Sequence, residues 1–161
     1  GLITLFFYCK KYKLNFWFLS DILAPALIFG QMIGRWGNYF NQELYGLPTY
    51  LPWGIPINLE NRIVGYENFE FFHPTFLYES FGCLLILLIL FFLYKKIPLI
   101  HGTGKIFLIY LILYSVLRFF LEFLRIDSTL TILGIRLPQI VSIILILISC
   151  KLWQNIKLQK F

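Results

Sequence analysis

FWFLSDILAPALIFGQMIG, Phe16 to Gly34, runs without a break into RWGNYFNQE, Arg35 to Glu43. The first part has the length of a membrane-spanning helix, about 20 residues (range about 17–25). The second sets an arginine, two asparagines and a glutamate at the end of that run. Charged and amide side chains are costly at membrane depth, so a cluster of this kind is expected to serve a function.

Composition agrees with the membrane reading. The chain is 59% hydrophobic, 20% aromatic and 14% charged, with mean hydropathy +0.76. A soluble domain averages about 25% charged residues. High Phe, Ile and Leu with low charge also excludes a disordered chain. Three further apolar runs follow, at Pro74–Tyr94, Ile106–Leu121 and Leu137–Trp153. The apolar residues 1–8 are too short to span, and no charged segment precedes them as in a signal peptide. They read as the tail of a longer helix. The expected fold class is all-α: a multi-pass membrane helical protein of about four spans plus a truncated helix. Residues 1–161 form a single membrane domain in this reading. Residues 44–72, rich in Pro, Gly and aromatics, form a small irregular outer head between spans, with short strands near Ile55–Leu59 and Arg62–Val64.

The two kinds of basic residue separate. The lysines fall at 10–13, 95–105 and 151–160, and alternating the spans puts all three groups on one side. By the positive-inside rule that side is the cytoplasm. Arg35, Arg62, Arg118, Arg125 and Arg136 fall on the other side or at helix ends facing it. Arginine recognises phosphate and carboxylate with a planar, bidentate fork, which lysine does not. The net charge of +6 is therefore mostly cytoplasmic anchoring and predicts no nucleic-acid partner. Cys9, Cys83 and Cys150 have no metal spacing and are expected to be buried small residues. Leu147-Ile148-Ser149-Cys150 has a faint likeness to a lipoprotein acylation box, discounted because it ends the last span.

Three polar clusters reach the outer face: Arg35, Asn38, Asn41 and Glu43; His73 to Glu79, including Tyr78; and Arg118, Glu122 and Arg125. The last three are spaced to share one helical face. Each cluster also admits a structural reading. His73-Pro74 can simply start a helix. Arg118, Glu122 and Arg125 can be an ion pair with an interfacial arginine, and Arg35–Glu43 a loop-closing salt bridge. Convergence at one depth favours a cavity for an anion, and the abundant anion there is a phospholipid head group. The sequence has no Ser-His-Asp spacing, His-Glu-x-x-His, P-loop or Gly-x-Gly-x-x-Gly, which argues against hydrolase, zinc and nucleotide chemistry.

Gly34-Arg35-Trp36-Gly37-Asn38-Tyr39-Phe40-Asn41-Gln42-Glu43-Leu44-Tyr45-Gly46 resembles the signature of bacterial prolipoprotein diacylglyceryl transferases, with Tyr39 for the usual Phe. Asp21–Ala26, His73–Glu79, Arg118–Arg125 and Gln139–Ile143 resemble other stretches of that family. The resemblance implies transfer of the diacylglyceryl group of phosphatidylglycerol to the lipobox cysteine of a prolipoprotein, with release of glycerol 1-phosphate. It implies no metal or cofactor, a bacterial inner-membrane location and a site on the outer, periplasmic side. It implies catalytic roles for Arg35 and Arg118. Substrate-binding roles fall to Arg35, Asn38, Asn41, Glu43, His73, Tyr78, Glu79, Glu122 and Arg125. The family has more spans than this sequence holds, and a functional histidine in a His-Gly-Gly-like motif ahead of the helix that Gly1-Leu2-Ile3 would continue. The sequence is therefore expected to be a C-terminal fragment. Competing readings are a non-catalytic anionic-phospholipid-binding fragment and, with less support from the inner halves of the spans, an anion transporter.

Overall fold

A computed structural model describes residues 1–97 and 100–155. Lys157 and Lys160, counted above among the cytoplasmic lysines, lie outside the described residues. The chain is mostly helical: α1 (Leu2–Tyr12), α2 (Phe16–Phe40), α3 (Thr75–Lys96), α4 (Lys105–Leu121) and α5 (Leu137–Asn155). Two short antiparallel ribbons complete it. β1 (Ile55–Pro56) pairs with β2 (Phe71–Phe72), and β3 (Thr131–Ile132) with β4 (Ile135–Arg136).

Three of the helices, α2, α3 and α5, are long and apolar enough to cross a membrane. The fourth expected span, α4, is 17 residues long. The expected boundaries hold to within about two residues for α3, α4 and α5. For α2 they do not: the helix runs on past Gly34 to Phe40. Gly37 and Asn38 signal a turn locally, because Asn side chains usually compete for the backbone. Here the Asn38 amide is spent on Glu43 instead, and the last helical turns survive.

Local chemistry fixes the helix ends. Lys13 takes a left-handed conformation (φ 55°) after α1, and Asn15 accepts N–H bonds from Trp17 and Phe18 at 2.9 and 3.1 Å to start α2. The N-terminus of α4 is capped from another helix. Asp21 of α2, 1% exposed, accepts from the Gly104 N–H and the Phe107 N–H, both at 2.9 Å. A carboxylate on orphan amides at the positive end of a helix is doubly favourable. The loop before α4 lies tight on α2. At Gly104, φ is +89°, and a Cβ would fall 2.3 Å from the Trp17 ring.

The core lies between α2, α3 and α4, where Ala24, Ile28, Cys83, Ile86, Leu87, Leu90, Ile106 and Phe107 pack together. α5 packs on α4. Outer helix surfaces are large and apolar (Phe29, Ile33, Leu88, Phe91, Ile148 are exposed), as lipid contact demands. Cys9 and Cys83 are buried as expected, whereas Cys150 is exposed on α5.

Between α2 and α3 the chain is irregular around a small second core of Tyr45, Ile57 and Phe72. One expected strand forms, at Ile55–Pro56. The other does not: a single 3-10 turn at Leu59–Asn61 precedes Arg62, and β1 takes Phe71–Phe72 as its partner. Arg62 explains this locally, since it folds back to donate to the Ile57 and Glu67 carbonyls at 2.9 and 2.8 Å.

Candidate functional site

Backbone contacts draw the three sequence clusters together at Gly46. Its N–H donates to the His73 carbonyl at 2.9 Å, and the next N–H, of Leu47, donates to the Leu124 carbonyl at 2.8 Å. Gly46 also bridges Arg125 in an antiparallel step. A Cβ at Gly46 would stand 2.9 Å from both the His73 Cβ and the Leu124 carbonyl oxygen, so only glycine admits this approach.

Beneath that junction runs an alternating chain of charges. Glu79 of α3 is gripped from two sides: its Oε1 lies 3.0 Å from Arg35 Nη2 (α2), and its Oε2 lies 3.3 Å from Arg118 Nη1 (α4). The Tyr114 hydroxyl donates to Glu79 Oε1 at 2.9 Å and accepts from Arg35 Nη2 at 3.3 Å. Arg118 Nη2 reaches Glu122 Oε2 at 3.1 Å, and Arg136 Nε lies 2.9 Å from Glu122 Oε1. That Nε–H is aimed at the Thr129 hydroxyl (2.8 Å), so Glu122 Oε1 gains charge contact but no hydrogen bond. Asp127 closes the chain, 2.7 Å from Arg125 Nε and 3.8 Å from Arg136 Nη2. The Glu79 and Glu122 side chains are 3% and 0% exposed, while those of Arg35 and Arg118 are 23% and 16% exposed. The carboxylates are therefore more deeply buried than the arginines that hold them.

The sequence reading holds for part of this and fails for part. Arg35, Glu79, Arg118 and Glu122 meet, as expected of charges in apolar runs. Arg125 does not share a helical face with Arg118 and Glu122, because α4 ends at Leu121. It is held by Asp127 instead. Arg35 pairs with Glu79, and the Arg35–Glu43 bridge is not among the ion pairs of the described residues. Glu43 accepts from the Asn38 and Asn41 amides at 3.0 and 3.3 Å. It is flanked by Gln42 (φ 51°) and Leu44 (φ 56°), left-handed conformations that cost a non-glycine residue energy and tend to mark functional sites. His73 Nδ1 lies 3.0 Å from the Tyr78 hydroxyl, which accepts from Trp53 Nε1 at 2.8 Å.

Sequence reading missed Tyr114, Asp127, Trp53 and Gln42, and gave Arg136 no role in the site. Gln42 Oε1 accepts from the Asn58 N–H (2.9 Å) and Asn61 Nδ2 (3.0 Å), tying the irregular segment to the end of α2. One signal was available for Tyr114, which precedes Arg118 by one helical turn. Tyr45 supports the same segment: its hydroxyl donates to the Asn61 carbonyl and accepts from the Ile63 N–H, both at 2.8 Å. Burial pushes this phenol above its ordinary value, against the opposing Ile63 N–H and Arg62 charge. A cavity of about 170 Å³ opens beside Arg118 between α4 and α5, lined by Tyr114, Ser115, Pro138 and Ser142 among others. Among the described residues, no group of His, Cys, Asp and Glu is placed to hold a metal ion.

Membrane-length helices around a buried arginine–carboxylate chain mark this as a membrane protein with a polar site set into its helix packing. Comparison with known proteins gives the family. The sequence profile described as Prolipoprotein diacylglyceryl transferase matches residues 1–154, and the chain belongs to that family. It is 46% identical over 153 residues to the phosphatidylglycerol–prolipoprotein diacylglyceryl transferase of Synechocystis sp., covering 92% of this chain and 53% of the relative. The Acaryochloris marina protein of the same name is 46% identical over 145 residues, with 89% and 52% covered. A second transferase of Streptomyces coelicolor is 42% identical over 139 residues, with 86% and 43% covered. The chain thus spans about half the length of the curated relatives it matches.

Proposed function

We propose that this chain supplies the phosphatidylglycerol site of a prolipoprotein diacylglyceryl transferase in the bacterial inner membrane. In this reading α2 to α5 cross the bilayer four times. Their lysine-bearing ends face the cytoplasm, and residues 44–72 form a head on the outer side. The grip of Arg35 and Arg118 on one buried carboxylate, Glu79, carries the reading. It presents two guanidinium groups from different helices side by side with N–H groups to spare. Across the network, Arg35, Arg118, Arg125 and Arg136 face Glu79, Glu122 and Asp127, leaving one positive charge for an anion. The names of the relatives supply the substrate pair, phosphatidylglycerol and a prolipoprotein.

The chemistry follows from that placement. The cysteine thiol gives its proton to a general base, and the thiolate attacks the glycerol carbon that bears the phosphate. A C–S bond forms, the C–O bond to phosphate breaks, and the electron pair leaves with glycerol 1-phosphate. Negative charge grows on the phosphate oxygens as the bond breaks. Preorganised N–H donors from Arg35 and Arg118 stabilise it, an effect of about 10²–10³ in rate for a single well-placed donor. Asn38, Asn41 and Glu43 order the end of α2 beside the head group, and His73 with Tyr78 orders the start of α3. The thiol belongs to the lipobox of the prolipoprotein.

The test uses the longest natural reading frame containing this sequence, in nanodiscs with phosphatidylglycerol and a lipobox peptide. The expected result is a peptide heavier by one diacylglyceryl group with matching release of glycerol 1-phosphate, and no product from a Cys→Ser peptide. Retained phosphatidylglycerol binding without thioether would overturn the transferase reading in favour of a non-catalytic lipid-binding protein.

A further inference from the structure

One helical turn below Arg35, on the side away from the irregular segment, α2 carries Gln31. Tyr110 of α4 donates its hydroxyl to Gln31 Oε1 at 3.2 Å. This rung repeats the Arg35–Tyr114 rung, and both join residues 79 apart in sequence. Parallel α2 and α4 therefore carry matched polar rungs at a four-residue step, about 5.4–6 Å apart along the axis. Tyr110 is 6% exposed, and Gln31 is half-buried. With Oε1 held by Tyr110, the orientation of the amide is fixed. Among the described residues its Nε2 makes no hydrogen bond, and it is not sealed within the protein. An unpaired amide donor facing hydrocarbon is unfavourable, so the position calls for an acceptor at that depth.

The surface of α2 next to Gln31 is open. Gly30 and Gly34 precede Gln31 and Arg35, and a Cβ at either glycine would meet nothing within 4 Å. A glycerophospholipid with its phosphate at Arg35 and Arg118 carries its acyl-ester carbonyls one glycerol unit deeper in the bilayer. That offset is close to one helical turn. An ester carbonyl is also an acceptor with no donor of its own, which is what the Gln31 amide lacks.

We propose that Gln31, oriented by Tyr110, is the subsite that hydrogen-bonds an acyl-ester carbonyl of the phospholipid and so selects diester over diether lipids. The proposal rests on the placement of the lipid phosphate at Arg35 and Arg118. Selection comes from the amide donor, so Gln31 is a specificity residue and takes no part in breaking the C–O bond.

The experiment compares dioleoyl phosphatidylglycerol with its diether analogue, identical in head group and chain length but lacking both carbonyls. Binding to the longest natural chain is measured by native mass spectrometry in detergent. The native protein is expected to bind the diester about three- to tenfold more tightly, the range of one net hydrogen bond. Gln31→Leu should lower diester binding to the diether level and leave diether binding unchanged. Tyr110→Phe, which keeps the amide but frees its orientation, should lose part of the preference. Equal native binding of the two lipids would overturn the proposal. So would a parallel loss of both in Gln31→Leu, the result of a merely structural α2–α4 bridge, or no binding of either lipid. Arg35→Ala separates the two claims. If the phosphate placement is wrong it leaves both affinities intact, whereas the Gln31 claim is read from the diester-to-diether ratio.

Discussion

Glu79 is the residue on which the site turns, because it converts two like-charged arginines into neighbours. Its own placement was legible in the sequence: an ionised group inside an apolar run has to find a partner. The same logic found Arg35, Arg118 and Glu122. It could not find Arg136 or Asp127, whose contacts depend on how the β3–β4 ribbon folds back over the end of α4. Tyr114 was legible only through its spacing of one helical turn from Arg118, since its neighbours on α4 are as apolar and aromatic as itself. Tyr45 offers a prediction at this scale. Its phenol is raised above the ordinary 10.0 by burial. The neutral form is the one the fold stabilises, so this contribution is complete below pH 10.0 and is lost as pH rises through the elevated folded value. Thermal melts should show an alkaline loss of stability that is larger in the native protein than in Tyr45→Phe. At neutral pH that variant should be less stable by about 2 kcal/mol, because two backbone groups lose their partner. Parallel pH curves for the two proteins would contradict this.

The helices were the most legible elements. Apolar length located α3, α4 and α5 closely because charged or turn-forming residues bound each apolar run. The end of α2 was misjudged because Gly37 and Asn38 carry local turn signals that side-chain bonding overrides. The strand expected at Arg62–Val64 failed for a related reason, as Arg62 uses its side chain on backbone carbonyls nearby. The contact that sets α4 against α2, Asp21 on the Gly104 and Phe107 amides, joins residues more than 80 apart and leaves no local signature. Its importance is testable. Asp21→Ala strands two buried amides and should cost about 3 kcal/mol. For a chain of this size that lowers the apparent melting temperature by about 6–10 °C. Asp21→Asn retains one acceptor and should fall between. An unchanged melt for Asp21→Ala would show that α4 is positioned by packing alone.

For the whole molecule, the arrangement is a division of labour along the axis of the helix bundle. Lysines and the Asp21 cap occupy one end of the bundle, a dry core fills its middle, and the arginine network occupies the other end beneath the irregular segment. Gly46 is where the second and third polar clusters meet the first, which explains why one glycine terminates the signature that dominates the sequence. The central claim is that Arg35 and Arg118 act as one phosphate-binding unit through Glu79. Residues that act as a unit have strongly non-additive effects on rate. The most direct measurement is kcat/KM for diacylglyceryl transfer from phosphatidylglycerol by the longest natural chain, by its Arg35→Ala and Arg118→Ala variants, and by the double variant. The account predicts a loss of about 10²–10³ for each single substitution and a double variant little worse than either. Near-native transfer by either single variant, or losses that multiply in the double variant, would contradict it.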